Sequence, residues 1–319
     1  MTRGLLDRRL HFVVGKGGVG KSTIASALAH LLARRGRRTL VVEMDPTARL
    51  SMLLGAAQVS YTPVEVGDGL HVMVVDGRAA LEEYLGLIIP VKRLLSSVFS
   101  STVYQYFVAA APGLKELMTV GKIWYEADRR TAGRPLWDAI VVDAPATGHS
   151  LQYLRMPQAA RDTFGAGLVQ REANKIVSLL GDPRSTAVHL VTLGEEMPVA
   201  ETLETHAQLV DALRMPVGYV VVNRVHRRTF SPDSLARLRA GSRAQPLVTC
   251  VAERATEEAG WTAINAAQLA RLREVLSDTP LLEVPFVFAE EFGRRELEHI
   301  IEELAAQMPG PATATRGRA

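Results

Sequence analysis

The stretch GKGGVGKST, residues 15–23, decides how the rest of this chain is interpreted. It follows the apolar run LHFVV (10–14) and precedes the helix-like segment STIASALAHLLARR (22–35). Residues 15–22 fit the pattern G-x-x-x-x-G-K-S/T, whose glycines let backbone N–H groups close on phosphate at a helix N-terminus. The stretch therefore predicts a phosphate-binding loop between a strand and a helix.

The loop residues have separate expected roles. Lys21 would contact the β and γ phosphates of a nucleotide, and the hydroxyl of Ser22 would ligate Mg²⁺. The predicted nucleotide-binding residues of the loop are Gly15, Gly17, Gly18, Val19, Gly20, Lys21, Ser22 and Thr23.

Two acidic residues follow apolar runs and are candidates for metal and water handling. Asp143 ends the run in DAIVVDAP (138–145), and Asp45 ends that in TLVVEMDP (39–46). A carboxylate at a strand end can also be a helix cap. Beside a phosphate loop, the pair is better interpreted as metal and water ligands. Glu43 is a weaker competitor because it lies inside its strand.

The pattern of apolar runs predicts an α/β fold with a doubly wound, mostly parallel sheet, typical of P-loop NTPases. Two mostly helical regions, about 78–133 and 156–183, interrupt the alternation and would form a helical lobe inserted between strands, or would merely cover the sheet. We expect one domain over residues 1–309 and a disordered tail over 310–319. The predicted strands are LHFVV (10–14), RTLVVEMD (38–45), LHVMVVD (70–76), DAIVVDAP (138–145), TAVHLVTL (186–193), VGYVVVNR (217–224) and PLLEVPF (280–286).

Composition excludes several classes of protein. The formal charge is only +3 over 319 residues, without a basic run interleaved with aromatics, so no nucleic-acid partner is expected. The single cysteine, Cys250, excludes an internal disulfide and fits a cytoplasmic chain; we expect it to be a small core residue. The uncharged stretch 94–114 is too polar for an integral membrane segment and is predicted to be a buried or groove-lining helix.

Several motifs together resemble one family. GKGGVGKST looks like the deviant phosphate loop (deviant Walker A) of the ParA/MinD/NifH/ArsA class. DAPATGHSLQYLRMP (143–157) resembles the D-T-A-P-T-G-H-T segment of the arsenite-pump ATPase ArsA and of the tail-anchored-protein targeting ATPases. EMDPTARL (43–50) resembles their switch segment, VVNRV (221–225) their adenine-side asparagine motif, and VPFVFAEEFG (284–293) their adenine loop.

The resemblance implies an ATPase with ATP and Mg²⁺ as ligands and assigns roles to individual residues. Lys16 would reach across a dimer interface to the nucleotide of the other subunit, although it could instead be a solvated loop lysine. Asp45 would orient the attacking water, and Asp143 would hold Mg²⁺ through water. Asn223 would hydrogen-bond adenine, with Pro285 and Phe286 packing nearby. The segment from Thr147 to His149 would form a second switch.

Departures from the family narrow the functional hypotheses. The chain lacks the arsenite-binding thiols of ArsA and the zinc-binding C-x-x-C of the eukaryotic targeting factor, so it is most similar to bacterial ArsA-like proteins. The first hypothesis is a dimeric ATP-driven switch, a homodimer or a heterodimer with a paralogue. The alternative is a targeting factor or holdase for hydrophobic protein segments. Residues 85–114 would then be either part of the buried core or a groove that binds such segments. A weaker alternative is a ParA/MinD-like positioning ATPase.

Overall fold

The computed structural model describes residues 4–44, 49–56, 59–67, 69–88, 99, 101–102, 113–164, 166–241 and 246–308. Within these ranges the strands are β1 Leu10–Gly15, β2 Thr39–Glu43, β3 Val64–Gly67, β4 Leu70–Val74, β5 Arg130–Thr131, β6 Arg134–Pro135, β7 Ala139–Ala146, β8 Thr186–Leu193, β9 Val217–Val225 and β10 Leu281–Pro285. The α-helices are α1 Lys21–Arg34, α2 Arg49–Leu54, α3 Gly77–Ile88, α4 Leu114–Asp128, α5 Thr147–Thr163, α6 Leu168–Gly181, α7 Glu196–Ala207, α8 Pro232–Gly241, α9 Pro246–Val275 and α10 Arg294–Gln307.

Eight of the described strands form one sheet in the order β10-β9-β8-β1-β7-β2-β4-β3. All neighbours are parallel except β3, which runs antiparallel to β4 at the edge. The seven parallel strands coincide with the seven predicted apolar runs, so the expected α/β fold with a mostly parallel sheet is confirmed. β3 was not predicted because its residues are largely exposed and lack an apolar run.

Apolar layers cover both faces of this sheet. On one face Phe12 of β1 packs in the same cluster as Ile123 of α4. On the other face Val13 packs in a cluster with Leu28 of α1 and Ile300 of α10. All five side chains are at most 3% exposed. Burial on both faces explains why the strands are continuous apolar runs rather than alternating ones, and the sheet is doubly wound as predicted.

Helices α3, α4, α5 and α6 pack successively against one another as a lobe on one side of the sheet. The region predicted as 78–133 contains α3 and α4, and the region predicted as 156–183 contains α6 and the second half of α5. Most of the uncharged stretch 94–114 lies outside the described residues. None of the helices within the described ranges has both the length and the apolar character needed to cross a membrane.

A buried ionic cluster joins two helices of the lobe. The ammonium of Lys122 in α4 lies 2.8 Å from Glu83 of α3 and 3.1 Å from Glu126, and its side chain is only 6% exposed. The indole N–H of Trp137 donates to Glu126 at 3.0 Å. Because a buried charge is costly unless it is paired and hydrogen-bonded, these contacts favour a single arrangement of α3 against α4.

The expectation that Cys250 is a core residue is wrong. Cys250 is exposed on α9. Two residues further along a helix the side chain points to nearly the opposite side, so the burial of Ala252 places Cys250 toward solvent. The sequence prediction failed because α9 buries a narrow stripe of residues, namely Ala252, Ala255, Asn265, Leu269 and Leu272.

Two histidines form a buried pair between the central strands. The backbone N–H of Tyr219 donates to Nδ1 of His189 at 3.0 Å, so the proton of His189 is on Nε2. That N–H donates to Nδ1 of His11 at 3.0 Å, and Nε2–H of His11 donates to the carbonyl of Arg8 at 2.9 Å. This chain of hydrogen bonds requires both rings to be neutral. Burial lowers the pKa of His189 to about 3 and that of His11 well below its ordinary value.

We expect the free energy of unfolding to fall as the pH drops below about 6.5, the ordinary pKa of histidine in an unfolded chain. Below that pH the unfolded chain binds protons that the folded pair does not accept, at a loss of up to about 1.4 kcal/mol per pH unit for each histidine. Denaturant titrations at about pH 7.5 and about pH 5 should show a smaller acid-induced loss in the His11→Gln/His189→Gln double variant than in the wild type. Equal acid-induced losses in the two proteins would show that the histidine pair does not cause the pH dependence.

Candidate nucleotide site

The loop of residues 16–20 lies at the carboxyl edge of the sheet centre. β1, flanked by β8 and β7, ends at Gly15, and α1 begins at Lys21. In open α/β sheets this edge, where strands lead into helices, is where ligands bind. The strand, loop and helix predicted from GKGGVGKST are therefore all present and contiguous.

Two glycines of the loop are required by close approach. A Cβ on Gly15 would lie 2.2 Å from the backbone oxygen of Val191 in β8, and one on Gly20 would lie 2.3 Å from Nδ2 of Asn223. Gly18 and Gly20 have φ values of 85° and 96°, in the region that side-chain-bearing residues rarely adopt. The loop backbone is thus held tightly against β8 and β9.

The side chains of the loop and the first turn of α1 surround this backbone. Nζ of Lys21 lies 3.1 Å from the carbonyl oxygen of Lys16, so the lysine folds back across the loop. Ser22 and Thr23 are partly exposed in the first turn of α1, where helix N–H groups lack intrahelical partners. These groups can donate to phosphate oxygens, as the sequence predicts for them.

The two predicted metal ligands lie on adjoining elements of the same edge. Asp143 in β7 is paired in register with Val13 of β1 and is 7% exposed, while Ser22 lies in the first turn of the helix that follows the loop. Within the described ranges, no group of three or more His, Cys, Asp or Glu side chains could hold a metal by itself. One hydroxyl and one carboxylate fit Mg²⁺, which usually keeps several waters and takes further ligands from nucleotide phosphates.

A second acid lies beside Asp143. Glu43 of β2 is its register partner, and at 2% exposed it is even more buried. Register partners in parallel strands point to the same face, so the two carboxylates lie side by side on one face of the sheet. The sequence made Glu43 the weaker competitor for the metal or water role because it lies inside its strand; the structure places it at the last residue of β2, and the choice between the acids stays a prediction. Asp45, the predicted water-orienting residue, lies outside the described residues, and its role stays a prediction.

The predicted adenine side lies at the ends of β9 and β10. Nδ2 of Asn223 donates to the carbonyl of Val19 at 2.9 Å, and its Oδ1 accepts from the N–H of Arg224 at 3.0 Å. The amide, at 4% exposed, therefore supports the phosphate loop, and its contact with adenine stays a prediction. Pro285 ends β10, and the N–H of Phe286 donates to the carbonyl of Val225 at 3.0 Å. Phe286 is thus attached to the end of β9, two residues beyond Asn223, and its packing against adenine stays a prediction.

Sequence analysis missed three residues around this side of the site. Nδ1 of His226 lies 2.9 Å from Glu258, and its ring stacks on Phe286 with 4.7 Å between centroids. Asn265 of α9 accepts from the N–H of His226 and donates to the carbonyl of Gly194, both at 2.8 Å. The side chain of Asn265 therefore ties the end of β8 to the end of β9. Asn265 is only 3% exposed, and nothing in the sequence around it indicates that this polar side chain is buried.

The remaining predicted residues lie at the same edge. Nζ of Lys16 is 2.5 Å from Oε1 of Glu201 in α7, a contact that the sequence did not suggest. Thr147, Gly148 and His149 form the first turn of α5, which follows β7 without an intervening loop. Gly148 has an ordinary helical φ, and His149 is exposed. The switch role of this segment stays a prediction.

The fold and the loop define a P-loop nucleotide hydrolase. The sequence model of the family described as Anion-transporting ATPase matches residues 8–172. ATPase BagA of Mycobacterium tuberculosis is 36% identical over 239 residues, which cover 73% of this chain and 70% of BagA. The Arsenical pump-driving ATPase of Escherichia coli is 30% identical over 243 residues, covering 70% of this chain and 41% of that protein. The chain belongs to the anion-transporting (ArsA) ATPase family and is an ATP-hydrolysing enzyme, as the motifs predicted.

We expect Gly15→Ala to lower the free energy of unfolding by more than about 2 kcal/mol, because the new Cβ would collide with backbone rather than with a movable side chain. Gly17→Ala is the matched control, since its Cβ would lie 3.9 Å from the nearest heavy atom. That change should alter stability by less than about 0.5 kcal/mol. Denaturant titrations of both variants test the contact, and similar losses would contradict it.

Proposed function

We propose that this chain is a Mg²⁺-dependent ATPase of the cytosol that closes as a dimer around two ATP molecules and relays the closure to its helical lobe. The second subunit is either an identical chain or a paralogue. The observation that carries the proposal is the direct passage of β7, which holds Asp143, into α5 of the lobe. A displacement at the metal-binding end of β7 must then move α5.

The contacts of α5 support transmission to the rest of the lobe. A Cβ on Gly113, at the start of α4, would lie 2.3 Å from Sδ of Met156 in α5. Nε2 of Gln152 in α5 also donates to Glu116 of α4 at 3.2 Å. Because packed helices move as bodies rather than deform continuously, a shift of α5 carries α4 with it. Nucleotide drives this motion only if it binds the closed state more tightly than the open one.

In the proposed reaction the protein supplies position and charge. The loop N–H groups and Lys21 bind the phosphates, Ser22 and Asp143 hold the metal, and Asp45 orients the attacking water. Bound Mg²⁺ would neutralise charge on the phosphate oxygens. Lys16 of each subunit adds a positive charge to the nucleotide of the other. Phosphoryl transfer responds strongly to such placement, because charge on the transferred group is spread over its oxygens.

We expect Lys16→Ala to lower turnover by about 10²- to 10³-fold while ATP affinity changes little, since its charge would act mainly in the transition state. Lys21→Ala should weaken both ATP binding and turnover. Phosphate release and ATP titrations measure the two effects. Lys115→Ala, which removes an exposed lysine of α4, is the control and should keep wild-type turnover.

The dimer is tested with the wild type. Specific activity should rise with protein concentration, and the mass in solution should double with a γ-phosphate mimic and Mg²⁺. A persistent monomer with full turnover, or small equal losses in Lys16→Ala and Lys21→Ala, would contradict the proposal.

A hydrophobic groove in the lobe favours a second candidate function, a holdase or targeting factor for apolar protein segments. The groove has a volume of about 480 Å³ and lies between α3, α4 and α6. Leu87, Phe164 and Leu168 along it are 64%, 50% and 40% exposed. Exposed apolar side chains grouped in this way are typical of surfaces that bind partners. Under this proposal, ATP-driven movement of α5 would control access to the groove.

If the groove holds apolar segments, Leu168→Asp should reduce the protection of an apolar helical peptide from aggregation by about tenfold or more, because a carboxylate would be desolvated in the complex. Val275→Asp, at a 57% exposed position of α9 outside the groove, is the matched control. Light scattering with ADP and with an ATP mimic measures protection. Absence of protection by the wild type in every nucleotide state would exclude this function.

A further inference from the structure

The ammonium of Lys16 is bound within its own chain. Its Nζ lies 2.5 Å from Oε1 of Glu201, and both side chains are 38% exposed. Glu201 lies in the second turn of α7, the helix that follows β8 beside the phosphate-loop strand. The contact joins residues separated by 185 positions in the chain.

Glu201 is held firmly by its helix. Val199, Thr202 and Thr205 on either side of it are at most 6% exposed and anchor α7 to the sheet. The hydroxyls of Thr202 and Thr205 donate to carbonyls one turn earlier, at 2.7 Å each. The backbone at Glu201 is therefore fixed, while Lys16 extends from a loop by a flexible four-carbon side chain. In this pair the lysine is the partner that can move.

This pairing opposes delivery of charge to a second subunit. An ammonium in contact with a carboxylate is largely neutralised, because the two opposite charges cancel at a distance. Lys16 can add a full positive charge to another nucleotide only after it leaves Glu201. The polyphosphate of ATP carries more negative charge than one carboxylate and is a suitable competitor, and ADP, which lacks the γ phosphate, competes less well.

We propose that Glu201 is a positioning residue that retains Lys16 in the separate subunit and releases it to the partner's triphosphate as the dimer closes. The inference rests on the proposed trans role of Lys16 and adds a residue that sets the protein and nucleotide concentrations at which closure occurs. Breaking one such partly exposed pair changes an equilibrium by about 1.5- to 5-fold, so two pairs per dimer change the dimer dissociation constant by about 2- to 25-fold.

The decisive variant is Glu201→Gln, which removes the charge and keeps the shape of the side chain. Sedimentation with a non-hydrolysable ATP analogue and Mg²⁺ should show a dimer dissociation constant about 2- to 25-fold lower than in the wild type. The protein concentration for half-maximal ATPase activity should fall by a similar factor. Glu204→Gln is the matched control, because it removes the same charge from an exposed position three residues later in α7.

A double-mutant cycle separates the pair from a general charge effect. In the Lys16→Gln background, Glu201→Gln should no longer change the dimer dissociation constant, because the pair is already absent. If Glu201→Gln and Glu204→Gln act equally, or if Glu201→Gln acts equally in both backgrounds, the retention of Lys16 by Glu201 is overturned.

The remaining outcomes distinguish this inference from the proposed function. If the wild type dimerises with the analogue and Lys16→Ala loses turnover, but Glu201→Gln leaves dimerisation unchanged, only the inference fails. A lower turnover of Glu201→Gln at saturating protein, with an unchanged dimer dissociation constant, also overturns it, because Glu201 would then support Lys16 inside the closed dimer. If the wild type does not dimerise with any nucleotide, both fail.

Discussion

The close approach of the phosphate loop to β8 and β9 is the constraint on which the site depends. Gly15 leaves no room for a side chain against the backbone of Val191, and Gly20 leaves none against Asn223. The Gly15 contact is with strand backbone, so the loop cannot shift toward β8 at that point, and the Gly20 contact is with an amide that is hydrogen-bonded to the loop. The N–H groups of the loop and of the first turn of α1 are thereby pre-organised for phosphate, and the ordering entropy is lost on folding rather than on binding.

Charged groups surround this centre. Lys21 contacts the carbonyl of Lys16, and Lys16 contacts Glu201, so each of the two lysines touches a group of its own chain. Asp143 within β7 and Glu43 at the end of β2 lie side by side. In the proposed function, a nucleotide with its metal would bring both negative and positive charge to this edge and would rearrange these groups together. In the proposed function, the passage from β7 into α5 would connect such a rearrangement to the helical lobe and to its apolar groove.

The strands could be predicted from the sequence more completely than the contacts of individual side chains. It identified all seven parallel strands, because burial on both faces produces continuous apolar runs that are visible locally. It missed the exposed edge strand β3, and it was wrong about Cys250, whose helix face is decided by packing. It selected the loop, Asp143 and Asn223, and the structure brings these to one edge of the sheet. It gave no sign of Glu201, His226 or Asn265, whose contacts join distant parts of the chain.

The sequence by itself determined the P-loop, its strand and helix, the α/β class and the family, because these features are contiguous motifs or local periodicities. Only the tertiary structure decided which groups far apart in the sequence come into contact. The contacts of Lys16 with Glu201 and of Asn223 with Val19 span 185 and 204 positions. Such pairs depend on strand order and on the rotation of each helix against the sheet. Local sequence sets neither the strand order nor the helix rotation, because both result from the packing of the whole chain.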